Sequence, residues 1–257
     1  MLRSPLIDAL QFFLLVWGLY WLAALSINNI GYNWQWYQIP RLLFTLDENG
    51  FSVGPLLDGL VITLQISFVS LFFSLIIGLV TAICRLSSSP VASTLARIYL
   101  EISRNTPLLI QIFFIYFVLG PVLGLERIPS AILALSLFEG AYASEIFRSG
   151  ILAVPKGQHE AAYSLGHSGY ETYRYIILPQ AIRTILPPLT SQAISLVKDS
   201  ALVSTIAIYD LTMQAQALVA ETYLTFEIWF TVAAMYLAVT VTLSILVGFI
   251  ERHAKLP

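Results

Sequence analysis

The stretch "PKGQHEAAYSLGHSGYETYRYIILPQAIRTILP", Pro155 to Pro187, decides how this chain is read. It is polar and rich in small residues, and strongly apolar segments flank it on both sides. The flanks read as lipid-embedded helix, so the stretch between them does something other than span. A long, helix-compatible connection outside the bilayer suits engagement of a soluble partner. Pro155 can open a helix, where its missing N–H costs nothing. Ala162 and Gly166, four apart, would stack on one helical face. His167-Ser168-Gly169 then turns the chain, and Tyr170, Tyr173 and Ile177 would form an apolar stripe on a second helical stretch. A surface-lying amphipathic helix without a partner is the competing reading.

Composition sets the solvent. The chain has 257 residues, 58% hydrophobic and 11% charged, with a mean hydropathy of +0.80. Soluble domains carry about 25% charged residues, so the solvent here is mostly lipid. Six windows are long enough to cross: Leu6–Ile27, Leu56–Cys84, Ile98–Gly120, Pro129–Gly150, Ile182–Ile208 and Glu227–Ile250. Pro187 and Pro188 disrupt backbone hydrogen bonding early in the fifth. Leu6–Ile27 is too long and Trp-rich for a cleavable signal peptide.

Lysine and arginine orient the chain. Arg3, Arg85, Arg97, Arg104, Arg148, Lys156, Arg174, Arg183, Arg252 and Lys255 fall on one side, against Arg41 and Arg127 on the other. That bias places both termini and the polar stretch in the cytoplasm. The connection 31–55 then faces outward. Its Tyr32, Trp34, Trp36 and Tyr37 form an interfacial belt, with Asp47-Glu48-Asn49-Gly50 as a turn. No basic patch interleaves with these rings, so nucleic acid is not a partner.

Charges within the spans require partners, water or a function. Lys198 and Asp199 lie inside the fifth window about 100° apart, either lining a central cavity or forming a structural opposite-charge contact. Glu139 could meet a substrate ammonium or a polar partner across the bundle. Glu145 reads as a local pair with Arg148, and Glu101 with Arg104. The lone Cys84 allows no intrachain disulfide, and His159 and His167 lack further ligands for zinc. With no glycine-rich loop ending in Lys-Ser/Thr, ATP would be hydrolysed by another chain. An ion-coupled secondary carrier using Glu139 or Lys198 is the alternative.

Several linked motifs bear a resemblance. Glu160, Ala161, Ala162, Gly166, Ile176, Leu178 and Pro179 resemble the signature of permease subunits of bacterial ATP-binding-cassette importers. "EISRNTPLLIQIFF" (101–114), "EGAYASEIFRSGILAVPKGQHEAA" (139–162) and "SLVKDSALVSTIAIYDLT" (195–212) resemble its polar amino acid branch. The similarity runs from about Gly54 to Ile250; Asn105 stands where the family often has glycine.

The resemblance implies an all-α membrane protein of the bacterial inner membrane, whose type I importer permease core (56–250) has five transmembrane helices. The first apolar window departs from that pattern and adds an extra N-terminal helix (1–30), for six transmembrane helices in all, followed by a periplasmic loop (31–55); 251–257 is a cytoplasmic tail. It implies a coupling segment, 155–180, in which Gly157, Glu160, Ala161, Ala162 and Gly166 engage an ATPase. It implies a second permease, two cytoplasmic ATPase subunits that bind ATP and Mg, a periplasmic amino acid-binding protein and an amino acid substrate. No cofactor is expected in this chain.

Overall fold

Helix α1 (Pro5–Ile30) is apolar at most positions. It lies in a unit of its own, Met1–Gln38, and residues 39–257 form a second unit. The computed structural model describes residues 5–47 and 50–254.

The second unit starts with a short helix, α2 (Ile39–Leu43), and two antiparallel strands, β1 (Phe44–Asp47) and β2 (Gly50–Val53), in register Phe44↔Val53 and Asp47↔Gly50. The connection 31–55 is therefore not a plain loop, and among the described residues these two strands are the only β-structure. Of the turn expected at its tip, Glu48 and Asn49 lie outside the described residues. One residue after β2, Gly54, the chain enters α3 (Pro55–Leu86).

The long helix α3 is patterned inside out. Its buried positions are Leu56, Gly59, Thr63, Ile66, Ser67, Ser70, Ser74, Gly78, Thr81 and Ala82, spaced three and four apart and mostly small. Its exposed positions include Phe68, Phe72, Phe73, Ile76 and Val80. In lipid the large apolar side chains gain nothing from burial, so small residues mark the packed face. That face meets α6 (Arg127–Leu152), whose buried side is also Ala-, Ser- and Gly-rich. A Cβ on Gly78 would lie 2.7 Å from the Ala143 Cβ and 3.0 Å from the Ser144 nitrogen. On Gly140 it would lie 2.9 Å from the Ile77 Cγ2. The seam thus admits no side chain at either glycine.

Between α3 and α6 the chain makes α4 (Pro90–Asn105) and α5 (Leu108–Leu123), bent by 110° at their junction. The expected continuous span over Ile98–Gly120 is therefore broken. Pro107 forces Thr106 out of helical conformation, at φ −109 and ψ 131. Gln111 Nε2 compensates, donating to the carbonyls of Ser103 at 2.7 Å and Thr106 at 2.9 Å. Within α5 a π-helical stretch covers Phe114–Leu119.

After α6 come α7 (Lys156–Ser164), α8 (Gly169–Ile206), α9 (Leu211–Thr222) and α10 (Thr225–Ala254). Pro187 and Pro188 do not end α8, although each removes one backbone donor. The Thr190 hydroxyl bridges this turn, donating to Leu186 at 3.0 Å and Pro187 at 2.8 Å. Among the described residues, three helices are long and apolar enough to cross a membrane (α3, α6 and α10). The number is up to five if the bent pairs α4–α5 and α8–α9 each count as one span.

Candidate functional site: a cavity and a helical hairpin

Two features hold the expected site residues. The first is a cavity of about 500 Å³ between α6 and α8, lined in part by Glu139, Tyr142, Glu145, Gln192, Ser195 and Asp199. Glu139 is 3% exposed. Gln192 Nε2 donates to its carboxylate Oε2 at 2.7 Å and to its backbone carbonyl at 2.6 Å. Asp199 lines the same cavity. The Gln192 Oε1 is buried without a partner. An acceptor-rich wall of this kind suits a donor-bearing solute, since a buried acceptor left unpaired is costly.

Lys198 does not share this cavity. It is exposed, and among the described residues no ion pair joins it to Asp199. The helix separates the two as expected, but the opposite-charge contact between them does not form. Glu145 also departs from a simple local pair. It accepts from Arg148, from Arg104 and, in a very short contact, from Arg85. Glu101 is left to Asn105, whose Nδ2 reaches its Oε2 at 2.9 Å. These partners lie 41 and 60 positions from Glu145, beyond the reach of a helical spacing rule.

The second feature is the hairpin of α7 and the start of α8. Helix α7 ends in a Schellman motif: His167 N donates to the Ala162 carbonyl at 3.1 Å and Gly166 N to that of Tyr163 at 3.0 Å. Gly166 takes φ +85, a left-handed conformation that costs glycine least. It therefore lies past the helix end rather than stacked on the same face as Ala162. Ser168 then caps α8 through a reciprocal capping box with Glu171.

Ala162 is buried as α7 packs on the π-helical start of α8. Gly157, Glu160 and Ala161 are exposed. The expected stripe resolves differently: Ile177 is buried in a cluster with Val154, Ala181 and Ile185, whereas Tyr170 and Tyr173 are exposed. Leu165 is 79% exposed. Its position beside the left-handed glycine is what brings it out, and a reading of small-residue spacing passed over it. His159 meets the Tyr173 ring edge-on at 5.7 Å. Among the described residues no group of three or more His, Cys, Asp or Glu is placed to hold a metal ion.

Residues 74–256 match the family described as binding-protein-dependent transport system inner membrane component. The chain belongs to this family. It is similar to the glutamine transport system permease protein GlnP of Escherichia coli (strain K12). The two are 38% identical over 204 residues, which cover 78% of this chain and 93% of that protein. The L-cystine transport system permease protein TcyB of Bacillus subtilis (strain 168) is 39% identical over 206 residues, covering 79% and 88%. A crystal structure of an amino acid ABC transporter with histidines superposes with a TM-score of 0.73 at 38% identity, covering 77% of this chain and 94% of the other. The inward-facing MetNI methionine ABC transporter shares the fold, at a TM-score of 0.68 and 21% identity, over 79% and 97%. As a permease component the chain is not the ATPase, and the secondary-carrier alternative falls away.

Proposed function

We propose that this chain is one half of the translocation path of an ATP-driven amino acid importer in the bacterial inner membrane. The observation that carries the reading is the pairing of a polar intramembrane cavity with an exposed hairpin that bears the ATPase-coupling signature. Its relatives are named for glutamine and L-cystine transport, which supports an amino acid as the solute. Glu139 and Asp199 supply acceptors for a substrate ammonium within the cavity, and Lys198 stands outside it.

The hairpin is the ATPase-docking element. Gly157, Glu160 and Ala161 present its surface, Ala162 holds α7 on α8, and Gly166 sets the turn that displays Leu165. An exposed leucine and tyrosines on a segment outside the spans suit a protein groove. The partners are a second permease, two ATPase subunits and a binding protein on the outer face. Six spans cross the membrane, with α1 as the extra N-terminal one, and both termini are cytoplasmic by the lysine and arginine bias.

The test is reconstitution with the cognate ATPase and binding protein, measuring ATP-dependent uptake over a panel of amino acids. Uptake of one or a few, abolished without ATP, is expected. ATP-independent uptake driven by an ion gradient would overturn the reading.

A further inference from the structure

A second cavity, of about 680 Å³, opens at the N-terminal end of α6, away from the hairpin of α7 and α8. A helix rises about 1.5 Å per residue, which puts Arg127 about 18 Å along α6 from Glu139. No solute of amino acid size could touch both cavities at once. Tyr116, Phe117 and Tyr209 line the second one with aromatic rings, and Glu126 and Arg127 bring one charge of each sign to it.

The arginine is held in place from two sides. Its Nε donates to the Tyr116 hydroxyl at 3.4 Å and its Nη1 to the Ala207 carbonyl at 3.2 Å, partners 11 and 80 positions away along the chain. Ala207 follows α8 at φ +55 and ψ 41, a left-handed conformation that is costly for alanine. Strained backbone of this kind collects at ligand clamps, and here its carbonyl serves Arg127. Tyr116 and Phe117 come from the π-helical stretch of α5, a form of backbone frequent at functional sites. The two bonds use only part of the guanidinium's donor set. Nη2 and the second N–H of Nη1 make no hydrogen bond among the described residues, and these are the donors that meet a carboxylate in parallel. None of the ion pairs among the described residues includes Arg127 or Glu126. The Glu126 side chain does not cap the backbone of α6 either, although it stands at the N-cap position. A fixed cation with spare donors, a carboxylate without a partner and aromatic surface thus line one cavity. That set complements a free α-amino acid, which carries both charges and a side chain; a simple amine or carboxylate would answer only one of the two charges.

We propose that this cavity is a second amino acid site, in which Arg127 takes the carboxylate of the zwitterion, Glu126 its ammonium group, and Tyr116, Phe117 and Tyr209 its side chain. Its place at the outer end of the path, ahead of the cavity at Glu139, rests on the orientation and the import reading proposed above.

The test is protection from labelling in the assembled transporter. Two positions that line the cavity, Ile128→Cys and Leu125→Cys, serve as separate reporters in a Cys84→Ser background. The proteinogenic L-amino acids would be offered singly, at millimolar concentration, against a membrane-impermeant maleimide. At least one should slow labelling at either reporter. Its methyl ester, which lacks the carboxylate, and its N-acetyl derivative, which lacks the ammonium group, should not. Arg127→Gln should raise the concentration needed for half-protection about tenfold, the equivalent of 1.4 kcal/mol, and Arg127→Lys should raise it less. Protection by no amino acid at either reporter, protection by the ester or the N-acetyl form equal to that of the parent, or undiminished protection in Arg127→Gln would overturn the proposal. Labelling is read without ATP and without transport, so failure of the import reading would leave this result distinguishable.

Discussion

Helix α6 has two sides that obey opposite rules. Toward α3 it presents Gly140, Ala143 and Ser144, packed so closely that no Cβ fits at the facing Gly78. Toward α8 it presents Glu139 and Tyr142, and leaves about 500 Å³ open. Lipid supplies no hydrophobic drive for helices to associate, so the first side is held by close contact of small residues and a few hydrogen bonds. The second retains a costly carboxylate in a membrane helix, which is the mark of a functional surface. A fixed seam on one side and a polar gap on the other is what a helix that frames a path requires.

The largest effect should come from filling the seam. Gly78→Leu places a branched side chain where the Ser144 backbone nitrogen lies 3.0 Å from the Cβ alone. Overpacking costs about 1–3 kcal/mol, occasionally more. Most of the assembled protein should be lost from the membrane, read as the monodisperse fraction in size-exclusion chromatography. Normal yield would mean that the seam opens freely.

Next in size is a change on the polar side that leaves the seam alone. Glu139→Gln keeps the volume and an acceptor for Gln192 Nε2, so abundance should hold. Loss of the charge should cut uptake per assembled complex by about tenfold, the equivalent of 1.4 kcal/mol. Unchanged normalised uptake would remove Glu139 from the path.

A smaller effect is expected at the hairpin. Gly166→Val puts a β-branched residue at φ +85, where a left-handed conformation costs a non-glycine residue about 1–2 kcal/mol. The ATPase should co-purify less well while the bundle stays folded. Full co-purification with normal uptake would separate this turn from docking.

The smallest effect belongs to Lys198→Ala. An exposed, unpaired lysine should change stability by no more than about 0.5 kcal/mol, whereas Asp199→Ala should depress uptake. An equal loss in both variants would restore a paired role for the lysine.

Much of this contrast could be read from the residues in order, and part could not. The spans α3, α6 and α10 declare themselves by hydropathy, and the Glu160–Gly166 signature marks the hairpin. The break at Thr106-Pro107 was also written in the chain, but the apolar residues on both sides read as one continuous span. The seam follows a rule of its own: in α3 the small residues at three- and four-residue spacing, rather than the large ones, trace the buried face. The Glu145 cluster joins arginines from two other helices, and Gln192 finds Glu139 from 53 positions away. Such contacts depend on which helices become neighbours, and local spacing does not encode that. Lys198 and Asp199 illustrate the same limit, since adjacency along a helix sends two side chains to different surroundings.

The two sides of α6 can be compared in a single labelling experiment. Ser195→Cys in the cavity and Ala143→Cys in the seam would be made separately in a Cys84→Ser background. Each would be reconstituted with the partner subunits and exposed to a membrane-impermeant maleimide, with and without the transported amino acid. Position 195 should label readily and be protected by substrate, while position 143 should stay unlabelled throughout. Equal labelling of the two, or no protection at 195 by an amino acid the complex transports, would contradict a fixed seam beside a translocation path.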